Sequence, residues 1–134
     1  MAKLTEIESI GNAYSKKLKT AGISSLNKLL KTGANKKGRM EIAQKSGISE
    51  KQILEWVNRA DLSRIKGVST QYADLLEHTG VDSLPELAQR NPDKLFLTMT
   101  QINKDKKIVR KLPAVSQVKN WINQARKLPR VVTH

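Results

Sequence analysis

The residues best suited to chemistry in this chain are its cations. Between Ser9 and Met40 there is no acidic residue, while Lys16, Lys17, Lys19, Lys28, Lys31, Lys36, Lys37 and Arg39 supply a charge of +8. A second basic stretch runs from Lys104 to Arg130, with nine positive residues opposed by Asp105 alone. Lys104, Lys106, Lys107, Arg110 and Lys111 are its densest part. Clustered charge of one sign steers polyanions inward, and lysine and arginine grip phosphate oxygens through charge-assisted hydrogen bonds. Catalysis finds no such support. It needs acids, bases or nucleophiles within reach of one another, and the histidines, His78 and His134, stand far apart. No carboxylate–histidine spacing suggests a metal site. Gly33 and Gly38 lack the GxxxxGK[ST] frame of a nucleotide loop. We therefore expect no enzyme, no catalytic residue, no metal and no cofactor.

Composition agrees with a basic binding protein. The 134 residues carry 25 Lys and Arg against 12 Asp and Glu, a formal charge of +13. Nucleic acid is the first partner such a balance suggests, and an anionic membrane surface the second. The chain is 38% hydrophobic and 28% charged, which places it in the soluble globular class. No apolar run approaches the ~20 residues that cross a bilayer, and the opening MAKLTEIESI lacks the apolar stretch of a signal peptide. Without cysteine there can be no disulfide or thiolate metal site. These features predict a cytoplasmic protein with no membrane partner, nucleoid-associated if it binds DNA.

The elements that must position the cations are duplicated. Shifted by 58 residues, Leu4, Ile7, Ile10, Tyr14, Leu18 and Gly22 meet Leu62, Ile65, Val68, Tyr72, Leu76 and Gly80. Ile23, Ser25, Leu26 and Leu29 then meet Val81, Ser83, Leu84 and Leu87. Further on the shift is 65, and Gln52, Ile53, Trp56, Val57, Asn58 and Ala60 meet Gln117, Val118, Trp121, Ile122, Asn123 and Ala125. Self-similarity of this kind is read before local propensity. It predicts units at 1–61 and 62–128, seven extra residues in the second unit near 103–112, and a C-terminal tail at 129–134.

Each unit reads as helix throughout, with about four short helices. Ile53, Trp56, Val57 and Ala60 fall at i, i+3, i+4 and i+7, one face of a helix. Ser49-Glu50-Lys51-Gln52 has the form of a capping box, and Asn91-Pro92 pairs a capping side chain with a first-turn proline. Gly22, Gly47 and Gly80 follow helical patterns as helix-ending glycines do. The tryptophans occupy equivalent places on apolar faces, which suits core anchors better than base-stacking platforms.

Ile7-Glu8-Ser9-Ile10-Gly11 and Ile65-Lys66-Gly67-Val68-Ser69 resemble the hydrophobic-x-Gly-hydrophobic-Gly hairpin of helix-hairpin-helix proteins. Each copy keeps one of the two glycines and has serine for the other. A turn this tight calls for positive φ, and the absent Cβ lets phosphate approach the backbone. The first amides of the following helix have no intrahelical partner and lie at the positive end of its dipole. The whole chain also resembles a bacterial family catalogued as a domain of unknown function with tandem helix-hairpin-helix-like repeats. GISEKQILEWVNRADLSRIKGV and ARKLPRVVTH carry that likeness most strongly. The resemblance implies an all-α fold of two tandem helix-hairpin-helix-like units with SAM-domain-like helical packing. It also implies a grip on the DNA backbone along the minor groove, without base reading. The candidate binding residues are Gly11, Asn12, Lys16, Lys17, Lys36, Lys37, Arg39, Gly67, Ser69, Lys104, Lys106, Lys107, Arg110 and Lys111.

The two copies differ most in charge. Lys16 and Lys17 fall in the first two turns of the helix after the hairpin, where cations oppose its dipole, and their counterparts are Asp74 and Leu75. From Tyr72 to Asp93 there are five acids and one base, Arg90. We expect the first hairpin and the last quarter of the chain to hold polyanions, preferably duplex DNA over RNA. The acidic second hairpin suits a protein partner, and an interaction module is the alternative function. A rival motif spans residues 41–59, where Ala43, Gly47, Ile53 and Trp56 have helix-turn-helix spacing. Its recognition helix would start at Glu50 and carry Glu55, both of which repel phosphate.

Overall fold

The computed structural model describes Leu4, Ile7 and residues 10–133. Glu8 and Ser9 of the first hairpin, and His134, lie outside the described residues. Among the described residues there are eight α-helices and no strand. They are α1 (Asn12–Thr20), α2 (Leu26–Thr32), α3 (Lys36–Ser46), α4 (Glu50–Leu62), α5 (Thr70–His78), α6 (Leu84–Ala88), α7 (Pro92–Lys106) and α8 (Val115–Lys127). The chain divides into two units, Met1–Asp61 with Val131–His134, and Leu62–Arg130. The stretch from Val131, expected as part of a tail, is therefore counted with the first unit.

Short polar side chains start most of these helices. Ser25 and Ser83 accept from the amides of Lys28 and Glu86 at the heads of α2 and α6. Asn35 and Asn91 accept from Gly38 and Lys94 at the heads of α3 and α7. Such caps each contribute ~1 kcal/mol by satisfying an orphan first-turn donor. The expected capping box at Ser49 is half present. Ser49 Oγ accepts from the Gln52 amide at 3.2 Å, but the Gln52 side chain bonds Glu55 instead of reaching back. At α8 the other half survives, with the Ala114 amide donating to Gln117 Oε1 at 2.8 Å. The expected helix-ending glycines, Gly22, Gly47 and Gly80, all take positive φ.

Helices this short are marginal alone and persist through packing. In the first unit α1 packs on α3. The core gathers Leu18, Leu29, Ile42, Ile53, Trp56 and Val57 around Leu4, Ile7 and Ile10. Val132 joins this core at 2% exposure. The Thr133 amide donates to the Ala34 carbonyl at 2.8 Å, tying the C-terminal segment to the α2–α3 turn. In the second unit α6 and α7 pack on α8, and α5 packs on α7. Leu62, Ile65, Leu75, Leu76, Leu87 and Trp121 lie at its centre. Both tryptophans are buried, so neither offers a ring to a base.

The units differ where the sequence predicts extra residues. Helix α7 has 15 residues against 11 in α3. It ends at Lys107 in the left-handed region, φ 51°. The Asn103 amide group then clamps the following loop, donating to the Val109 carbonyl and accepting from the Val109 amide at 3.0 and 2.9 Å.

Candidate nucleic-acid interface

Helix α1 begins at Gly11, whose backbone is extended at φ −81°, ψ −177°. Its carbonyl accepts from the Ser15 amide at 2.9 Å, as an N-cap should. Glycine has no side chain with which to cap the first-turn amides. The equivalent residue of the second unit, Ser69, has the same extended backbone, but its Oγ accepts from the Tyr72 amide at 3.2 Å. The head of α5 is thus partly occupied by its own serine, and that of α1 is not. An open helix head attracts anions.

The hairpin expectation needs correcting at Gly11. Its φ is negative, and nothing lies within 4 Å of a Cβ added there, so neither strain nor crowding demands glycine. Positive φ belongs to the other hairpin position. Gly67 has φ +94°, and an added Cβ would stand 3.0 Å from Trp121 Nε1. Gly67 is a turn residue seated on the core tryptophan, and Ser69 is a cap.

Lys16 and Lys17 lie within the first two turns as expected, but their relation to the dipole differs. Because α1 starts at Asn12, Lys16 is its fifth residue, and Lys17 and Lys19 fall in the last turn. There they complement the helix dipole instead of opposing it. Lys16 still lies one turn along from Asn12 on the same face, and helical side chains lean toward the N-terminus. Its ammonium can therefore reach back toward the helix head. In the second unit Asp74 and Glu77 replace Lys16 and Lys19. Asp74 Oδ1 stands 3.6 Å from His78 Nδ1.

Of the candidate binding residues, Lys36 and Lys37 are the ones that oppose a dipole. They are the first two residues of α3, and no acid accompanies them in that turn. All of these lysines are exposed. Among the described residues Lys16, Lys17, Lys19, Lys36 and Lys37 form no ion pair.

Arg39 leaves the candidate surface. It is 4% exposed, and its guanidinium donates to the carbonyls of Gly33 and Thr133, each at 2.8 Å. Burial lowers its pKa from the usual value, an effect opposed by the charge of Glu50. It remains a cation, but one spent on joining the C-terminal segment to the α2–α3 turn, not on phosphate. Two glycines permit that close packing. An added Cβ at Gly33 would meet Val57 Cγ2 at 2.6 Å, and one at Gly38 would strike the Thr32 carbonyl.

The second basic cluster lies in the other unit. Lys104 and Lys106 end α7, Lys107 caps it, and Arg110 and Lys111 follow in the loop, all exposed. Cations at a helix C-terminus have a local stabilising role, which accounts for Lys104, Lys106 and Lys107 but not for Arg110 and Lys111. The rival helix-turn-helix elements exist as α3, the left-handed Gly47 and α4. Helix α4, however, buries Ile53, Trp56, Val57, Asn58 and Asp61, and its first turn presents Glu50. A recognition helix needs its first turns free for base edges. Among the described residues no cluster of His, Asp or Glu could hold a metal, and no helix is long and apolar enough to cross a membrane.

A family model, described as a domain of unknown function, DUF4332, matches residues 8–128. The chain belongs to the DUF4332 family. No curated protein and no solved structure matches it. The matched residues span both units.

Proposed function

We propose that this DUF4332 protein is a non-enzymatic nucleic-acid-binding protein that holds duplex DNA by its backbone phosphates, without sequence preference. Its two units act as helix-hairpin-helix-like modules of unequal role. One observation carries the reading: the exposed, acid-free cation surface of α1 and the first turn of α3. Lys36 and Lys37 stand in a first helical turn, where the dipole disfavours them. Positions placed against local preference point to function. The copy-to-copy change from Asp74 and Glu77 to Lys16 and Lys19 supports the same division of labour. The first unit grips phosphate through Lys16, Lys17, Lys36, Lys37 and the α1 head. The second unit, with its capped, acidic α5, supports it.

The test is fluorescence anisotropy against duplex DNA, single-stranded DNA and RNA across a salt series. A protein neutralising about four to six phosphates loses affinity with a log–log slope of roughly −4 to −5. Random and defined duplexes should compete equally. A strong preference for one sequence would favour the helix-turn-helix, and no nucleic-acid binding at low salt would remove the proposal.

A further inference from the structure

The same aromatic pair occurs in both units, but among the described residues only the tyrosine of the second has its hydroxyl bonded to another segment. Tyr14 meets Trp56 with ring centroids 5.2 Å apart, and Tyr72 meets Trp121 at 5.3 Å. In the second unit the Tyr72 hydroxyl donates to the Lys111 carbonyl at 2.9 Å. That carbonyl lies in the extra segment that the first unit lacks. Leu75, three residues along the same helix, is fully buried in the second core. The second unit thus satisfies the tyrosine hydroxyl with a backbone oxygen of its own extra segment.

The first unit lacks those seven residues in its sequence. Tyr14 is 40% exposed, and among the described residues its hydroxyl makes no hydrogen bond. Lys17 stands where the second unit has Leu75, exposed, with its Nζ 5.7 Å from the Tyr14 ring centroid. Seat and donor are kept, while the apolar neighbour has become a cation. An uncharged backbone carbonyl suits the leucine version. An anionic oxygen suits the lysine version, because the ammonium and the phenol can then converge on one acceptor.

We propose that Tyr14 is a direct phosphate-contact residue, its hydroxyl and the Lys17 ammonium holding one phosphodiester group of a bound nucleic-acid strand. The strand takes the place at Tyr14 that the Lys111 carbonyl takes at Tyr72 in the second unit. This rests on the nucleic-acid reading above and extends it to a side chain that charge alone would not select. A phenol contact differs from a lysine contact in one measurable way. It adds affinity without releasing a counterion, so it leaves the salt slope unchanged.

The experiment measures binding of a fluorescein-labelled mixed-sequence DNA duplex at several salt concentrations for four proteins: wild type, Tyr14→Phe, Lys17→Gln and Tyr72→Phe. Circular dichroism confirms that each is folded, and the exposed position of Tyr14 makes loss of fold unexpected. A hydrogen bond to a charged oxygen is worth about tenfold in affinity. Tyr14→Phe should therefore weaken binding about tenfold at every salt concentration, with the wild-type slope. Lys17→Gln should weaken it and shallow the slope by about 0.9. Tyr72→Phe should bind as wild type does. If wild type binds with a steep slope and Tyr14→Phe stays within twofold of it, the Tyr14 contact is overturned and the broader reading stands. The same result holds if the face is instead covered by an acidic peptide or a second copy of the chain. If wild type binds no duplex, the broader reading itself fails and takes this one with it.

Discussion

Arg39→Ala should unfold part of the first unit, not weaken a DNA contact. The guanidinium is 4% exposed and makes two hydrogen bonds at 2.8 Å, to the carbonyls of Gly33 and Thr133. Removing it leaves two carbonyls that must find water or stay unsatisfied, at about 1–3 kcal/mol each. Relief from burying a charge offsets part of this, since desolvation already lowers the Arg39 pKa. The expected net loss is about 2–4 kcal/mol, which multiplies the opening equilibrium by at least roughly 30. Hydrogen exchange followed by mass spectrometry reads this locally. Amides of α2, α3 and the C-terminal segment should exchange faster by that factor, while α5–α8 stay unchanged. Arg39→Lys keeps the charge but cannot span both carbonyls, so it should recover less than half of the loss. The reasoning is refuted if Arg39→Ala leaves exchange in the first unit unchanged while DNA affinity falls.

Gly67→Ala should destabilise the second unit by about 2 kcal/mol in urea unfolding, because φ +94° and the Trp121 indole both oppose a Cβ. Val132→Ala removes two buried methyl groups from the first core and should cost about 1.5–3 kcal/mol by the same measurement. Gly11→Ser copies the Ser69 cap onto α1. It should gain a few tenths of a kcal/mol in stability yet bind duplex more weakly, since the serine competes with phosphate for the first-turn amides. A gain in both stability and affinity would remove the α1 head from the site.

Features set within one turn of the chain were legible in the sequence. Asn91-Pro92 starts α7 as its capping chemistry implies, and Gly22, Gly47 and Gly80 end helices in the left-handed region. The apolar spacing of Ile53, Trp56, Val57 and Ala60 marked the buried face of α4. Features set by distant partners were not. Nothing beside Arg39 signals that the Thr133 carbonyl will meet it, because that partner is 94 residues away. Val132, in a basic and proline-containing stretch, looks like tail until the first core is seen to need it. Gly11 misleads for a subtler reason. It resembles a positive-φ turn residue, but its φ is negative and it serves as the N-cap of α1. Charge alone picks out Lys36 and Lys37, yet their place in the first turn of α3 appears only once Asn35 is seen to cap it. The open face at Tyr14 could have been suspected from the seven residues missing beside it.

The most direct test of the account is charge reversal on equivalent helices, read by anisotropy with a DNA duplex at low and moderate salt. Lys16→Glu with Lys17→Glu should weaken binding well over tenfold and shallow the salt slope by about two, with helix content unchanged. Asp74→Lys with Glu77→Lys should leave binding intact or tighten it, since added positive charge favours a phosphate partner. Equal affinity of the Lys16, Lys17 variant and wild type at low salt would contradict the account, leaving the Lys104–Arg130 stretch to hold any nucleic acid.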